Sequence, residues 1–354
     1  MSKTLLKIRG LSLAIGLLLG IHASQNPVQA ETKEISVIDF GGAFGSALRE
    51  AVYKTYTATT GIAVNQQEYN GEVAKIKAMV DTGNAPLEAI DIDAPSLKEG
   101  CDAGVLEKLD YSKIGPKEQW MPGTALECGV GTILYSFVIA YDGDKLKQGP
   151  TGIKDFFDVK KFPGKRGFWK KPASTLEFAL MADGVAAKDV YKVLATKAGQ
   201  DRAFKKLDTI KKDIVWWEAG AQAPQLLASG EAAMTIAWNG RIAGANKEGR
   251  HFVIVWKDQL LDREFWAIPK NSRNTAAAYE FVKYAVSDKV LADVTNYIPY
   301  GPARKTALAM VPAATRANLP THPDNMKASL LINSDFWGDH GDELRNRFNS
   351  WLAQ

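Results

Sequence analysis

Cysteine and histidine are scarce in this sequence, with two and four among 354 residues. The three histidines beyond residue 30, His251, His322 and His340, have no metal-ligand spacing with the cysteines, so no metal site is expected. The chain also lacks the G-x-S-x-G, H-E-x-x-H and G-x-x-x-x-G-K-[ST] motifs of common hydrolases, metalloproteases and nucleotide-binding proteins. These absences exclude a disulfide-rich miniprotein and argue against an enzyme, and no cofactor is predicted.

A charge excess of one sign is also nearly absent once the first thirty residues are set aside. Those residues carry Lys3, Lys7 and Arg9 and no acidic residue, and beyond them the chain has 41 basic and 40 acidic residues. A near-neutral protein offers little attraction to a polyanion, so no nucleic-acid partner is predicted. The length and the hydrophobic fraction of 46% are typical of a globular protein with about two domains.

Residues 1–30 have the pattern of a secretory signal peptide. A cationic start over residues 1–10 precedes an apolar run over 11–23, and Val28-Gln29-Ala30 provides a cleavage site before a polar stretch. An apolar run of thirteen residues is shorter than the roughly 20 that a membrane-spanning helix needs, which disfavours the alternative of an anchor. The sequence therefore predicts a soluble exported protein located in the periplasm.

The two cysteines, Cys101 and Cys128, both lie beyond the predicted signal peptide. Disulfides persist outside the cytoplasm, so an even pair in an exported protein predicts one bridge. Two buried free thiols remain the alternative.

Strand-like and helical patterns alternate along the chain beyond residue 30. Strand-like runs cover residues 35–40, 62–64, 89–93, 133–141, 214–217, 233–238 and 252–256. Helical periodicity lies between them, for example over residues 47–60, where Leu48, Val52 and Tyr56 recur every four residues. The alternation predicts an α/β fold with a parallel sheet covered on both faces.

We expect this α/β chain to form two lobes with a ligand cleft between them. Lobe one comprises residues 31–140 together with about 270–320, and lobe two comprises residues 141–269. Residues 321–354 form a C-terminal helical segment. Strands that cross between the lobes near Ala140 and Ile268 are expected to act as the hinge.

Four short segments carry a resemblance to a known family. They are Ile90-Asp91-Ile92-Asp93-Ala94-Pro95-Ser96, Ile236-Ala237-Trp238-Asn239-Gly240, Phe265-Trp266-Ala267-Ile268-Pro269-Lys270 and Tyr300-Gly301-Pro302-Ala303. In their order and spacing they resemble the polyamine-binding (spermidine/putrescine) family of ABC-transporter solute receptors, over nearly the whole mature chain. The resemblance implies a two-lobed periplasmic binding protein fold of type II, and a monomer that captures a small ligand and delivers it transiently to an inner-membrane permease.

The resemblance assigns ligand-binding roles to individual residues on both lobes. Trp238 matches the aromatic wall that faces the amine-bearing chain of the ligand. The alternative is that Trp238 is a core residue at the end of a buried strand. Glu264, with Asp262 as the weaker candidate, lies where the family places an acid that binds an amine. A solvated acid in a turn is the alternative interpretation of Glu264. Tyr300 belongs to the last of the four segments.

Further candidates follow the first strand and precede a helix in lobe two. Gly42, Phe44 and Ser46 fall where the family contacts ligand from lobe one, and Gly42 allows close backbone approach. Glu177 is a candidate second acid. The helix start at Ser174 alternatively offers free N–H groups to an anion.

Arg241 is the informative departure from the polyamine binders, which usually have a small residue after Trp-Asn-Gly. A fixed cation repels a polycation but binds a carboxylate through two parallel hydrogen bonds. Arg241 and Glu264 together would complement a ligand with an amine and an acid. This resembles the branch of the family that binds 4-aminobutyrate, related ω-amino acids or opines. If Arg241 points to solvent, a polyamine remains the predicted ligand.

Overall fold

The computed structural model describes residues 33–354, and the predicted signal peptide lies outside the described residues. The strands are β1 (Glu34–Asp39), β2 (Ala63–Glu68), β3 (Ala89–Asp93), β4 (Val130–Asp142), β5 (Arg166–Trp169), β6 (Ile214–Trp217), β7 (Met234–Trp238), β8 (Phe252–Ala267), β9 (Gly301–Pro302) and β10 (Leu330–Leu331). They form one sheet in the order β2-β1-β3-β8-β4-β7-β5-β6, with β9 beside β4 and β10 beside β8.

The helices alternate with these strands. They are α1 (Gly42–Leu48), α2 (Lys54–Thr60), α3 (Val73–Asp81), α4 (Ala94–Asp102), α5 (Ile153–Phe157), α6 (Pro172–Ala182), α7 (Val190–Leu194), α8 (Lys197–Asp208), α9 (Gln222–Ser229), α10 (Asn239–Lys247), α11 (Thr275–Ala285), α12 (Asp288–Tyr297), α13 (Lys305–Met310), α14 (Ala313–Arg316) and α15 (Ser334–Leu352). A π-helical stretch, Arg49–Tyr53, joins α1 to α2. The helix predicted over residues 47–60 is therefore real but begins five residues earlier.

The α/β fold class is confirmed, but the sheet is mixed rather than parallel throughout. β1 pairs in parallel with β2 and β3 at one end of the sheet, and β5 pairs in parallel with β6 and β7 at the other. The two long central strands, β4 and β8, run antiparallel to each other and to their neighbours β7 and β3. The two parallel parts are therefore joined through β4 and β8.

β8 is longer than the sequence pattern indicated. It has 16 residues and continues from residue 256 to Ala267, so Glu264 lies within a strand and the alternative of a solvated acid in a turn is wrong. Its pairing with β4 is irregular, because Phe137 faces Leu260 while Ile139 faces Val255. Such an irregularity bends a strand locally, and here it lies where β4, paired with β8 on one side, begins to pair with β7 on the other.

The predicted disulfide between Cys101 and Cys128 is confirmed, with the two Cα atoms 5.8 Å apart. It fastens the end of α4 to the segment that leads into β4. We expect Cys101→Ser combined with Cys128→Ser to lower the free energy of unfolding by roughly 3–4 kcal/mol, because the unfolded chain gains entropy without the bridge. Denaturant titration with and without reductant measures this loss, and reductant should not affect the double variant. An unchanged unfolding midpoint would contradict the expectation.

The C-terminal helix α15 packs against both α4 and α6. Arg345 pairs with Glu99 of α4, and Arg347 pairs with Asp201 of α8. The helical part of the predicted C-terminal segment is thus Ser334–Leu352, and it contacts helices from both halves of the sheet. Among residues 33–354, no helix has the length and apolar character required to cross a membrane.

Candidate ligand-binding site

Two cavities adjoin at the centre of the sheet. The inner cavity has a volume of about 10 Å³, enough for about one water molecule. Its lining residues are Phe40, Phe44, Ile133, Tyr135, Trp238, Arg241, Glu264 and Tyr300. The outer cavity has a volume of about 350 Å³, and its walls include Asp93, Phe137, Trp169, Lys171, Asp262 and Trp337.

The inner cavity is built where two strands turn directly into helices. After β1, Gly41 and Gly42 have φ angles of +56° and +54°, which glycine adopts freely, and the chain turns at once into α1. After β7, α10 begins at the residue next to Trp238. These two junctions place Phe40 and Phe44 opposite Trp238 and Arg241.

Trp238 is enclosed by aromatic rings and still lines the inner cavity. Its ring centroid lies 5.8 Å from Phe40 and 6.2 Å from Tyr135. On the other side it lies 5.5 Å from both Trp169 and Trp217. Trp238 is only 5% exposed, yet its Nε1 has no hydrogen-bond partner. Trp238 is therefore both a core residue and part of the wall of the inner cavity.

Arg241 does not point to solvent, since it is only 3% exposed. Its Nη1 donates to the carbonyl of Gly41 at 2.7 Å, and its Nη2 donates to the carbonyl of Phe40 at 3.0 Å. The guanidinium also lies 5.4 Å from the Trp238 ring centroid. A Cβ on Gly42 would come within 2.5 Å of Nη1, so this approach requires glycine. Nε is buried and has no hydrogen-bond partner.

Four buried carboxyl groups lie on one face of the sheet. Asp93 of β3 faces Glu264 of β8 across the antiparallel ladder, and residues two apart on each strand point the same way, which adds Asp91 and Asp262. All four are at most 5% exposed. Asp93 also caps α4, accepting a hydrogen bond from the backbone N–H of Ser96.

Burial favours the protonated forms of Asp91, Asp262 and Glu264. Desolvation, followed by repulsion from Asp91 and Asp93, holds the pKa of Glu264 well above its ordinary value. Desolvation also raises the pKa of Asp91, and together with Asp93 it raises the pKa of Asp262 to about 8. Carboxyl groups held this way would ionise readily beside a cation that replaces their protons. The cluster is therefore suited to an ammonium group, with aromatic rings beside it.

The remaining predicted site residues divide into two groups. Phe44 and Tyr300 line the inner cavity, with their rings 5.4 Å apart. Ser46 and Ser174 line neither cavity: Ser46 is exposed on the outer side of α1, and Ser174 is buried in the irregular start of α6, with a φ of 70°. The two residues before Ser174 at the start of α6, Pro172 and Ala173, do line the outer cavity.

Glu177 is also not brought to either cavity, although it was predicted as a second ligand-binding acid. Its Oε1 accepts hydrogen bonds from Tyr191 at 3.0 Å and from the Trp337 indole N–H at 2.8 Å. Because Trp337 belongs to α15 and lines the outer cavity, Glu177 fastens α6 to that wall.

Burial raises the pKa of Glu177 to about 7, so the folded protein retains this proton to a higher pH than the unfolded chain. The stabilising effect is complete below the ordinary glutamate pKa and is lost as the pH rises through about 7. Glu177→Gln keeps the acceptor for Tyr191 and Trp337. Between about pH 4 and pH 8, we expect the free energy of unfolding of Glu177→Gln, relative to that of the wild type, to increase by about 3 kcal/mol. Denaturant titrations at both pH values test this, with exposed Glu280→Gln as control; a difference independent of pH would contradict it.

Several residues of the two cavities were not identified from the sequence. Asp91 and Asp93 lay in a segment that carried the family resemblance, but no ligand role was assigned to them. Phe40 and Tyr135 looked like ordinary strand residues, and Lys171 looked like a loop lysine. For Asp91 and Asp93 the available signal was two acids at alternating positions of an otherwise apolar strand, which is unusual for a buried β-strand.

Comparison with known proteins matches this architecture. A family model described as a bacterial extracellular solute-binding protein matches residues 51–321. The gamma-aminobutyric acid-binding protein of Pseudomonas aeruginosa is 47% identical over 326 residues, which are 92% of this chain and 93% of that protein. The putrescine-binding periplasmic protein PotF of Escherichia coli is 23% identical over 311 residues, which are 77% of this chain and 80% of that protein.

Solved structures confirm the two-lobed fold. The PBP AgtB of A. tumefaciens R10, solved in complex with agropinic acid, superposes with a TM-score of 0.84 and is 30% identical. The match covers 92% of this chain and 100% of AgtB. The resemblance inferred from the four sequence segments is thereby confirmed at the level of the whole chain.

Proposed function

Because this chain belongs to the bacterial extracellular solute-binding protein family, we propose that it captures 4-aminobutyrate or a closely related ω-amino acid and delivers it to the permease of an ABC importer. The receptor works in the periplasm as a monomer and catalyses no reaction. The relative that is 47% identical is a gamma-aminobutyric acid-binding protein, which supports this ligand class.

The observation that carries the proposal is the pairing of one buried cation with buried acids around a single indole. Arg241 and Glu264 both line the inner cavity beside Trp238. A ligand carboxylate binds the guanidinium, and a ligand ammonium binds Glu264 with the indole face beside it. A molecule with one group of each sign satisfies both residues at once.

Lobe separation and closure admit the ligand. The inner cavity holds about one water, so 4-aminobutyrate needs a wider space than the described conformation provides. Arg241 joins the junction after β7 to the junction after β1, so moving these parts away from each other breaks its hydrogen bonds to Phe40 and Gly41. We assign the hinge to β4 and β8, with the lobes bounded as the sequence predicts.

A polyamine is the second candidate, supported by the acid cluster and by the more distant likeness to the putrescine-binding protein PotF. Arg241 argues against it, because a diamine brings no anion to the buried guanidinium.

Calorimetry with the purified protein tests the proposed function. We expect 4-aminobutyrate to bind more tightly than putrescine, and small-angle scattering should record a smaller radius of gyration at saturation. Tight putrescine binding without a response to 4-aminobutyrate would overturn the assignment. Turnover of the bound ligand would contradict a receptor role.

Replacing Trp238 should weaken ligand binding beyond its effect on folding. We expect Trp238→Ala to reduce the affinity for 4-aminobutyrate by more than about tenfold, because the ammonium loses its aromatic face and water enters the cavity. Trp238→Phe should retain most of the affinity. Trp216→Ala is the matched control, because Trp216 contacts the Phe348 and Trp351 rings and lines neither cavity. Equal affinities of the two alanine variants would assign Trp238 to the core alone.

A further inference from the structure

Lys171 is the one cation of the outer cavity, among residues 33–354, that has no acid as a direct ion-pair partner. The other cationic wall residue, Arg345, pairs with Glu99 at 3.2 Å and with Asp342 at 2.6 Å. Asp93 and Asp262 also line this cavity and are buried. The outer cavity therefore contains buried acids and one ammonium that forms no ion pair.

The ammonium of Lys171 is held in place by an aromatic ring and a backbone carbonyl. Nζ lies 4.4 Å from the Trp169 ring centroid, and it donates to the carbonyl of Asn70 at 2.9 Å. Lys171 follows β5, while Asn70 follows β2, so the contact joins opposite ends of the sheet. Burial lowers the pKa of Lys171, and Asp93 and Glu72 counteract that effect. An aromatic face with nearby acids is the environment that an amine ligand also requires.

This environment lies directly beyond the inner cavity. The Trp169 ring lies 5.5 Å from that of Trp238. Asp262 of the outer cavity accepts a hydrogen bond from Tyr135 of the inner cavity at 3.3 Å, and Asp93 faces Glu264 across the ladder. A linear diamine with one ammonium at Glu264 would extend its other ammonium either toward Arg241 or toward Lys171.

We propose that Lys171 is a tethered ammonium that occupies the second cation position of the cleft and so excludes diamines. The inference rests on the proposed function, since it assumes that one ligand ammonium binds at Glu264. The second ammonium of a diamine then meets either Arg241 or Lys171. Repulsion between like charges in a buried site is strong. An ω-amino acid directs its carboxylate to Arg241 and leaves Lys171 undisturbed.

Calorimetry of Lys171→Gln and Lys171→Ala with putrescine, cadaverine and 4-aminobutyrate tests the proposal. We expect the affinity for at least one diamine to rise by about tenfold or more, while that for 4-aminobutyrate changes by less than about threefold. Glutamine preserves a donor for Asn70, and alanine also frees space. Lys170→Gln is the matched control, since this exposed neighbour pairs with Glu218 and should leave all three affinities unchanged.

The deciding quantity is the ratio of diamine affinity to 4-aminobutyrate affinity, compared with the wild type. An unchanged or lower ratio in both Lys171 variants would overturn the role of Lys171. Preference of the wild-type protein for putrescine would instead overturn the proposed ligand class. The ratio still reports on Lys171 in that case, so the two failures are distinguishable.

Discussion

Arg241→Ser is expected to lower the affinity for 4-aminobutyrate by about 100-fold and to raise that for putrescine. Removing one partner of a buried, hydrogen-bonded charge pair costs about 2–5 kcal/mol in binding, because the ligand carboxylate is left in a desolvated cavity without a cation. Putrescine gains because the repulsion from the guanidinium disappears. Serine also restores the small residue of the polyamine binders at this position.

Opposite changes in the affinities for 4-aminobutyrate and putrescine would distinguish the loss of the Arg241 charge from a loss of lobe closure. Arg241 also donates to the carbonyls of Phe40 and Gly41, so a variant that only loosened this contact would weaken both ligands. Arg241→Lys keeps a charge but cannot reproduce the fork of donors, and we expect an intermediate affinity for 4-aminobutyrate. Exposed Arg250→Ser changes the net charge equally and should have no effect. Parallel weakening of both ligands by Arg241→Ser would reduce Arg241 to a structural contact.

Glu264→Gln is expected to weaken 4-aminobutyrate by about 30-fold or more, because the neutral amide cannot pair with the ligand ammonium. Glutamine has the shape of the protonated acid. Because burial and neighbouring acids hold the pKa of Glu264 well above its ordinary value, the variant should fold like the wild type near neutral pH. The exposed control Glu280→Gln should bind normally.

The pH dependence of binding gives Glu264 a second, independent signature. The unliganded acid retains its proton to higher pH than an ordinary glutamate, and the ammonium favours the ionised form, so ligand binding displaces that proton. Wild-type affinity should therefore increase with pH until Glu264 is ionised in the free protein. Calorimetry across this range should record a weaker dependence for Glu264→Gln. Identical pH profiles of variant and wild type would exclude Glu264 as the ammonium partner.

On the proposed binding mode, the balance of charges around the two cavities would let this fold select a ligand of no net charge over a polyamine. Arg241 and Glu264 line the inner cavity, whereas Lys171, Asp93 and Asp262 line the outer one. We expect a ligand with two positive ends to meet a cation in either cavity and to bind weakly. A ligand with one positive and one negative end satisfies the acids and one cation.

Local sequence patterns were sufficient to predict most of the secondary structure and the disulfide. β3 and β6 were predicted at their observed bounds, and β1, β2, β4, β7 and the start of β8 were located because apolar runs bounded by polar or glycine residues reflect local preferences. Trp238, Arg241 and Glu264 were identified because they lie in or beside segments that resemble a family. Their roles in binding remain predictions, but the structure does place all three around one cavity.

The composition of the candidate site depends on pairing between distant segments, which only the tertiary structure shows. The register of β3 against β8 gathers four acids from two separate segments onto one face, and no local pattern reveals that register. Glu177 was assigned to the ligand, but packing of α15 gives it Trp337 as a partner, 160 residues away. Lys171 reaches a carbonyl 101 residues away, so its ammonium becomes part of the cleft only after the chain folds. The chain's own amino acids thus determine the elements and the chemical groups available. Which groups share one low-dielectric cavity, and therefore which charges a ligand meets, is set by long-range packing that neither periodicity nor spacing encodes.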